Sequence, residues 1–305
     1  MQQPIRIGTR DSKLALWQAH TVQALLEKTG FPTELVAVKS EGDLDLVTPL
    51  YAMGVQGVFT KTLDAFLLSN KIDIAVHSLK DVPTQMAQGL VQAAVLPRAD
   101  YHDLFVPHPE AKALGHTLIA TGSVRRKAQW LHQYPESKIE NLRGNVQTRM
   151  RKLEESNWDG AIFAAAGLDR MDMRPTNAQI LDWMLPAPAQ GAVMVACRAG
   201  AQDILDACAP FNDVETAMCV QVERDFLKTL MGGCSTPISA LAQIKDAHIV
   251  FVGNILSVDG KQKMELERTC TLAEAEHAGV IWAKELLAMG ADKIVAAIRN
   301  FEQNV

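Results

Sequence analysis

The stretch Ile72-Asp73-Ile74-Ala75-Val76-His77-Ser78-Leu79-Lys80-Asp81-Val82-Pro83 carries the pattern on which the fold turns. Residues 72–76 form a short apolar run rich in β-branched side chains, which reads as a buried strand. The run ends in a polar turn, His77-Ser78-Leu79-Lys80-Asp81, before Pro83. Working outward, Lys61–Leu68 has helical spacing on one side and residues 90–96 form a strand on the other. Further toward the N-terminus lie a strand at 34–38 and a helix over Lys13–Lys28, with a first strand at 5–8 opening the series. The helix has an apolar side of Leu14, Leu16, Trp17, Val22, Leu25 and Leu26, with Ser12 as its cap and Gly30 as its stop. Strands alternating with helices in this way predict α/β architecture with mainly parallel sheets.

Residues 97–109, rich in Pro, His and Asp, read as a crossing to a second unit. A second series follows: strand 117–120, helix 125–132, strand 139–142, helix 146–155 and strand 161–164. Pro186, Pro188, Gln190 and Gly191 mark a crossing back, into an apolar strand at 192–197. Two such series with two crossings predict two lobes around a cleft. The loop 40–57, with Gly42, Pro49, Gly54 and Gly57, is long enough to act as a lid. After Asn212 the pattern changes to a small α+β domain. It comprises a helix over 214–230 stopped by Gly232-Gly233, strands at 238–244, His248–Leu256 and 264–269 with Asp259-Gly260 as a hairpin turn, and helices at 272–289 and 292–298. The expected units are 1–98 with 192–212, 99–191, and 213–305.

The composition narrows the function. Of 305 residues, 48% are hydrophobic and 21% charged, enough apolar material for packed cores and against a disordered chain. No apolar run approaches the ~18 residues of a membrane span, and the N-terminus lacks a signal-peptide pattern, so a soluble cytoplasmic protein is expected. Thirty basic against 35 acidic residues give a net charge of −5, which argues against a generic nucleic-acid binder. An anionic ligand must then be held by a local cluster. Five cysteines, odd in number and without a CxxC pair, argue against a disulfide framework or a cysteine-ligated zinc site, and no metal is expected.

Three features carry chemistry. Between Thr121 and Lys152 runs a series of cations: Arg125, Arg126, Lys127, Lys138, Arg143, Arg149, Arg151 and Lys152. Ser123-Val124-Arg125-Arg126 follows a strand and opens a helix, where free backbone N–H groups and guanidiniums converge on one oxyanion. Arg143-Gly144-Asn145 repeats the arrangement with Arg149 one turn on, and Arg170 follows a third strand. Lys127, Lys138, Arg151 and Lys152 read as solvated helix faces. Arginines strung along one cleft suit a ligand with several separated carboxylates or phosphates. No GxxxxGK[ST] loop is present, against P-loop nucleotide hydrolysis. Lys80-Asp81 sits at a strand end, where the ligand crevice of α/β sheets lies. Asp81 there is either a plain turn residue before Val82-Pro83 or a carboxylate that stabilises a developing cation or holds a ring N–H. His77 reads as structural. Finally, Met231-Gly232-Gly233-Cys234-Ser235-Thr236-Pro237 places a cysteine in an irregular loop, accessible in a way that Cys197 is not; it is either incidental or a nucleophile able to form a thioether.

Taken in order, these segments resemble the porphobilinogen deaminases, also called hydroxymethylbilane synthases. The resemblance covers nearly the whole chain. It runs through Arg6-Ile7-Gly8-Thr9-Arg10-Asp11-Ser12 with Leu14-Ala15-Leu16-Trp17-Gln18-Ala19, and Asp73 to Pro83. It continues with Ser123-Val124-Arg125-Arg126, Leu142-Arg143-Gly144-Asn145-Val146 with Thr148-Arg149, Ala166-Gly167-Leu168, Gln190-Gly191-Ala192 and Gly232-Gly233-Cys234. The resemblance implies two lobes like those of periplasmic binding proteins and a third domain carrying the cysteine. It implies a transferase of tetrapyrrole (haem) biosynthesis with one covalent dipyrromethane cofactor, joined by a thioether to Cys234. Four porphobilinogen units are added in turn with loss of ammonia, and the linear 1-hydroxymethylbilane is released by hydrolysis. By the same resemblance Asp81 is catalytic, stabilising positively charged pyrroles through their N–H groups. Lys80, Thr121, Ser123, Arg125, Arg126, Arg143, Gly144 and Gln190 hold the cofactor, and Arg10, Ser12, Arg143, Arg149 and Arg170 hold substrate carboxylates. The further expectations are a monomer without nucleic-acid or membrane partners, passing its product to uroporphyrinogen-III synthase.

The sequence also departs from that family. Its loop reads Ala52-Met53-Gly54-Val55-Gln56-Gly57-Val58-Phe59, with Ala52 and Gln56 where lysines are usual and Val55 where glycine is. Lys13 replaces a common proline, Gly122 a common serine and Thr62 a common glutamate. A less cationic, stiffer lid is expected. Three other readings compete: a non-catalytic two-lobed carboxylate-binding protein, which leaves Cys234 idle; a thiol hydrolase pairing Cys234 with His77 or His248; and a relative impaired in assembly, marked by these departures.

Overall fold

The computed structural model describes residues 3–39, 57, 59–110, 116–230 and 236–303. Cys234 and the lid residues Ala52, Val55 and Gln56 therefore lie outside the described residues. In the first part β1 (Ile5–Arg10), α1 (Lys13–Lys28), β2 (Thr33–Val38), α2 (Lys61–Leu68), β3 (Ile74–Ser78) and β4 (Leu90–Val95) follow one another. Then come β5 (Asp103–Pro107), β6 (Leu118–Ala120), α3 (Val124–Gln133), β7 (Lys138–Glu140), α4 (Val146–Glu154), β8 (Gly160–Ala164), α5 (Ala165–Asp169) and β9 (Gln179–Ile180). The chain returns through β10 (Val193–Arg198) and α6 (Gln202–Cys208) and ends with α7 (Val214–Thr229), β11 (Ile238–Lys245), β12 (His248–Leu256), β13 (Lys263–Thr271), α8 (Ala275–Leu286) and α9 (Asp292–Gln303).

Among the described residues the strands form two five-stranded sheets, β2-β1-β3-β10-β4 and β7-β6-β8-β5-β9, and a three-stranded sheet, β11-β12-β13. The two large sheets share one plan. In the first, β1 runs parallel to β2 and β3, while β10 lies antiparallel between β3 and β4. In the second, β6 runs parallel to β7 and β8, while β5 lies antiparallel between β8 and β9. Each sheet is thus mainly parallel in direction, with one reversed strand, and that strand is the one arriving from the other lobe.

The alternation of side chains explains why these runs are apolar at every position. Ile74 and Val76 of β3 and Val193 and Val195 of β10 pack on one layer with Val22 and Leu26 of α1. Ala75, Met194 and Ala196 point the other way, toward Leu63 and Leu67 of α2. A strand covered on both faces has no polar side to show. The α1 helix starts where expected: Ser12 Oγ accepts from Ala15 N at 3.3 Å. In the third domain α7 and α8 pack on the antiparallel sheet through Phe226, Phe251 and Trp282, with ring centroids 5.1 and 4.8 Å apart along that series.

Two expectations need correcting. Residues 97–109 are not only a crossing, because Asp103–Pro107 is a fully buried strand paired on both sides. Its Pro107 stands at the last position, where a missing N–H is tolerated, and Leu104, Phe105 and Val106 fill the core. The strand placed at 72–76 runs instead over Ile74–Ser78, so His77 and Ser78 belong to the sheet and pair with Met194 and Val193. Ser78 is held there by Gln18, whose Nε2 donates to its Oγ at 2.8 Å. The turn proper is a single 3-10 turn, Leu79–Asp81.

Candidate active site

The crevice of an open α/β sheet lies beyond the carboxyl ends of its strands. Here that edge carries Arg10 at the end of β1, Lys80 and Asp81 after β3, Thr121 and Ser123 after β6, Arg143 beyond β7 and Arg170 beyond β8. Because β5 and β10 are reversed, their first residues reach the same edge: Asp103 opens β5, and Gln190 precedes β10. Local sequence sets up each helix entry. Ser123 caps α3, its Oγ accepting from Arg126 N, and Asn145 caps α4, its Oδ1 accepting from Thr148 N at 2.9 Å. Thr121 Oγ1 accepts from Ser123 N at 3.3 Å and so shapes the approach to α3.

Asp103 is the node of the second lobe. It is fully buried. Arg126 donates to its Oδ1 from Nε at 3.0 Å and Nη2 at 2.8 Å, Gln190 Nε2 donates to the same oxygen at 2.8 Å, and Arg125 Nη2 lies 2.7 Å from Oδ2. Both guanidiniums also reach backbone: Arg126 Nη1 donates to Ile162 O at 3.0 Å and Arg125 Nη1 to Leu185 O at 2.7 Å. Gln190 then reaches across to the first lobe, its Oε1 accepting from Lys80 Nζ at 3.2 Å. Burial would raise the Asp103 pKa, but the charges of Arg125 and Arg126 prevail and hold it down to about 2.

The cations around this node feel one another. Lys80 is pushed down to about 8, first by burial and then by Arg126, against the opposing pull of Asp81 and Asp103. Arg149 is pushed down to about 10 by burial, with Arg126 and Arg143 adding repulsion and Asp81 opposing it. Its Nε donates to Gly144 O at 2.7 Å, which ties α4 back to the Arg143-Gly144 turn. Lys80, Asp81, Arg125, Arg126, Arg143, Arg149 and Gln190 therefore come together from both lobes, with Thr121, Ser123 and Gly144 in the same turns. Five of these are cations, and the carboxylates among their partners are Asp81 and Asp103. Charged groups crowded at partial burial with a surplus of one sign fit a ligand that supplies carboxylates.

The other expected residues sit apart in their contacts. The Arg10 guanidinium lies over the Phe59 ring, 4.2 Å from its centroid. It also helps burial push His77 down to about 4, so His77 is a neutral core residue at pH 7. Ser12 spends its hydroxyl on the α1 cap. Arg170 bridges the lobes: it stacks over Trp17 at 5.5 Å and its Nη2 donates to Gly191 O at 2.7 Å. Of the loop around Cys234, only Thr236 and Pro237 fall within the described residues.

Sequence reasoning missed Asp103, Arg98, Glu223 and Arg224. Arg98 makes a bidentate pair with Glu223 at 2.6 and 3.1 Å, and Glu223 also accepts from Ala189 N and Ala242 N at 2.6 and 2.8 Å. Glu223 thus joins both crossings to the third domain. A signal existed: Glu223 and Arg224 interrupt the apolar stripe of Cys219, Val220, Val222, Phe226 and Leu227 on α7, and buried charge needs a partner.

Fold and site define a two-lobed cleft protein with a third domain, its crevice lined by cations from both lobes around one half-buried turn carboxylate. Residues 5–206 match the family model described as porphobilinogen deaminase, dipyromethane cofactor binding domain, and residues 217–288 match porphobilinogen deaminase, C-terminal domain. The porphobilinogen deaminase of Syntrophotalea carbinolica is 41% identical over 302 residues, covering 96% of each chain. That of Chlorobium phaeobacteroides is 40% identical, covering 98% of this chain and 99% of the relative. The chloroplastic porphobilinogen deaminase of Oryza sativa is 42% identical over 277 residues, covering 87% of this chain and 77% of the relative. Among solved structures the methionine-binding protein MetQ overlays with a TM-score of 0.44 at 13% identity, over 70% of this chain and 91% of that one. Likeness at that level leaves the lobe plan to be read from the sheet order itself. The chain belongs to the porphobilinogen deaminase family, a family of transferases, and carries its dipyrromethane cofactor binding domain.

Proposed function

We propose that this chain is a hydroxymethylbilane synthase, joining four porphobilinogen units in turn with loss of ammonia and releasing the linear tetrapyrrole by hydrolysis. The observation that carries the reading is the meeting of Asp81 with Lys80, Arg126, Arg143 and Arg149 across the two lobes. Porphobilinogen bears one acetate and one propionate, so a cleft rich in cations binds each unit by its two carboxylates and orients its ring. Asp81 is the carboxylate left to meet a pyrrole N–H and to stabilise positive charge on that ring. Lys80, Arg125, Arg126 and Arg143 would hold the dipyrromethane carboxylates, with Thr121, Ser123, Gly144 and Gln190 supplying neutral donors and shape. Cys234 would form the thioether. When bound, the dipyrromethane supplies the electron-rich pyrrole carbon to which the first unit is joined. Arg10, Ser12, Arg143, Arg149 and Arg170 belong to this reading as groups that meet incoming substrate.

The same reading makes the protein a cytoplasmic monomer that hands its product to uroporphyrinogen-III synthase; the two bacterial relatives favour the cytoplasm, and among the described residues no helix is long and apolar enough to cross a membrane. The test is intact-mass measurement of the purified chain with an Ehrlich-type colour reaction. A protein heavier by two pyrrole units, with the added mass on the peptide containing Cys234 and absent from Cys234→Ala, is expected. An unmodified chain that turns over porphobilinogen at full rate would overturn the reading, and an unmodified chain that only binds carboxylates would favour a binding protein.

A further inference from the structure

Residues 223 and 224 on α7 do two jobs. Glu223 clamps the crossings between the lobes, as described above. Its neighbour Arg224 is buried and points instead at the first lobe. Its Nη1 donates to Val82 O at 3.0 Å and to Leu79 O at 3.4 Å, and its Nη2 donates to Pro83 O at 2.7 Å. These three carbonyls bracket Lys80 and Asp81 on both sides. A short 3-10 turn leaves its last carbonyls without partners inside the turn, and a guanidinium fork can satisfy several of them in one fixed geometry. The turn is also held by the residue that leads into β10, since Leu79 N donates to Ala192 O at 3.0 Å. The turn is therefore gripped from its own lobe by Ala192, at the entry to β10, and from the third domain by Arg224. The helix that supplies Arg224 runs to Thr229, a few residues before the Cys234 loop.

We infer that Arg224 is a positioning residue: it fixes the Lys80-Asp81 turn against helix α7 of the third domain, so that the Asp81 carboxylate keeps one geometry in the cleft. Arg224 donates to these backbone carbonyls and acts through Asp81. The inference rests on the role given to Asp81 above. A misplacement of about 1 Å at a reacting centre costs up to roughly a hundredfold in rate, which sets the scale of the effect.

The test uses the full chain carrying its cofactor, with Arg224→Gln and Arg224→Lys. Three quantities are read: kcat and KM for porphobilinogen, cofactor content by intact mass, and hydrogen exchange of the peptide covering residues 79–84. For Arg224→Gln, kcat is expected to fall about ten- to hundredfold with KM within about twofold, because ground-state carboxylate binding is untouched. Cofactor content stays at the wild-type level, and exchange rises at least ~tenfold in 79–84 while β11 and β12 keep their protection. Arg224→Lys, which keeps the charge and reaches fewer carbonyls, recovers part of the loss. Should Arg224→Gln not fold, Arg224→Lys carries the same readouts. Unchanged exchange in 79–84, or unchanged kcat, overturns the inference; so does loss of protection spread through the third domain, which would make Arg224 merely structural. Full activity in Asp81→Ala would sink the role of Asp81 while leaving the exchange result intact, so the two failures are distinguishable.

Discussion

A carboxylate at complete burial persists only with partners, and Asp103 has two guanidiniums and a carboxamide on its oxygens. Its folded pKa, about 2, lies below the ordinary 3.8. A depressed acid stabilises the fold fully above its unfolded pKa, and that contribution is lost as pH falls through the window from 3.8 to about 2. Asp103→Asn is expected to flatten the acid limb of a stability profile over that window, measured by urea midpoints; an unaltered slope would show that Arg125 and Arg126 do not set this pKa. A second residue-scale expectation concerns Gly122. A Cβ built there would lie 2.5 Å from Leu142 O, a backbone atom that cannot turn aside. Gly122→Ser is therefore expected to lose about 1–3 kcal/mol in thermal or chemical unfolding. Unchanged stability would mean that the β6 and β7 ends part easily.

At the scale of elements, α7 matters more than its place at the start of the third domain implies. Glu223 is fully buried and bound by Arg98 and two backbone amides. Glu223→Ala leaves Arg98 and both N–H groups without their acceptor, and a loss of about 3–5 kcal/mol is expected by denaturant titration. A loss under ~1 kcal/mol, the scale of a surface pair, would contradict the junction. The run of elements was legible in the sequence because periodicity, caps and stops agreed: Lys13–Lys28, Lys61–Leu68 and His248–Leu256 begin and end where their residues say. The strand Asp103–Pro107 was not legible, since Pro, His and Asp around it mimic a linker and only Leu104-Phe105-Val106 argues otherwise. For the site, the strand-end cations and the turn carboxylate were visible as local pattern. Asp103 and Arg224 were not, because their partners stand 22 and 141 or more residues away in the chain.

For the whole molecule, the third domain braces both lobes. It reaches the second through Gln129 Nε2, which donates to Ser239 Oγ at 3.0 Å, and through the hairpin tip, where Gly260 O lies 2.8 Å from His132 Nδ1. Gly260 has φ +74, and a Cβ there would meet Ala128 O at 2.6 Å, so only glycine lets the hairpin lie on α3. Gly260→Val is expected to expose α3 to hydrogen exchange while the β12–β13 pairing survives; protection unchanged in α3 would mean that the hairpin does not hold it. The order β2-β1-β3-β10-β4 has one more consequence, for the chain as it leaves the ribosome. Strand β4 is made early, yet its neighbour in the sheet is β10, so the slot beside β3 stays open until the second lobe has been synthesised. A nascent chain halted after residue 190 would hold a finished second sheet and a gapped first one, and co-translational protease sensitivity should fall in the first lobe only once Arg198 has emerged.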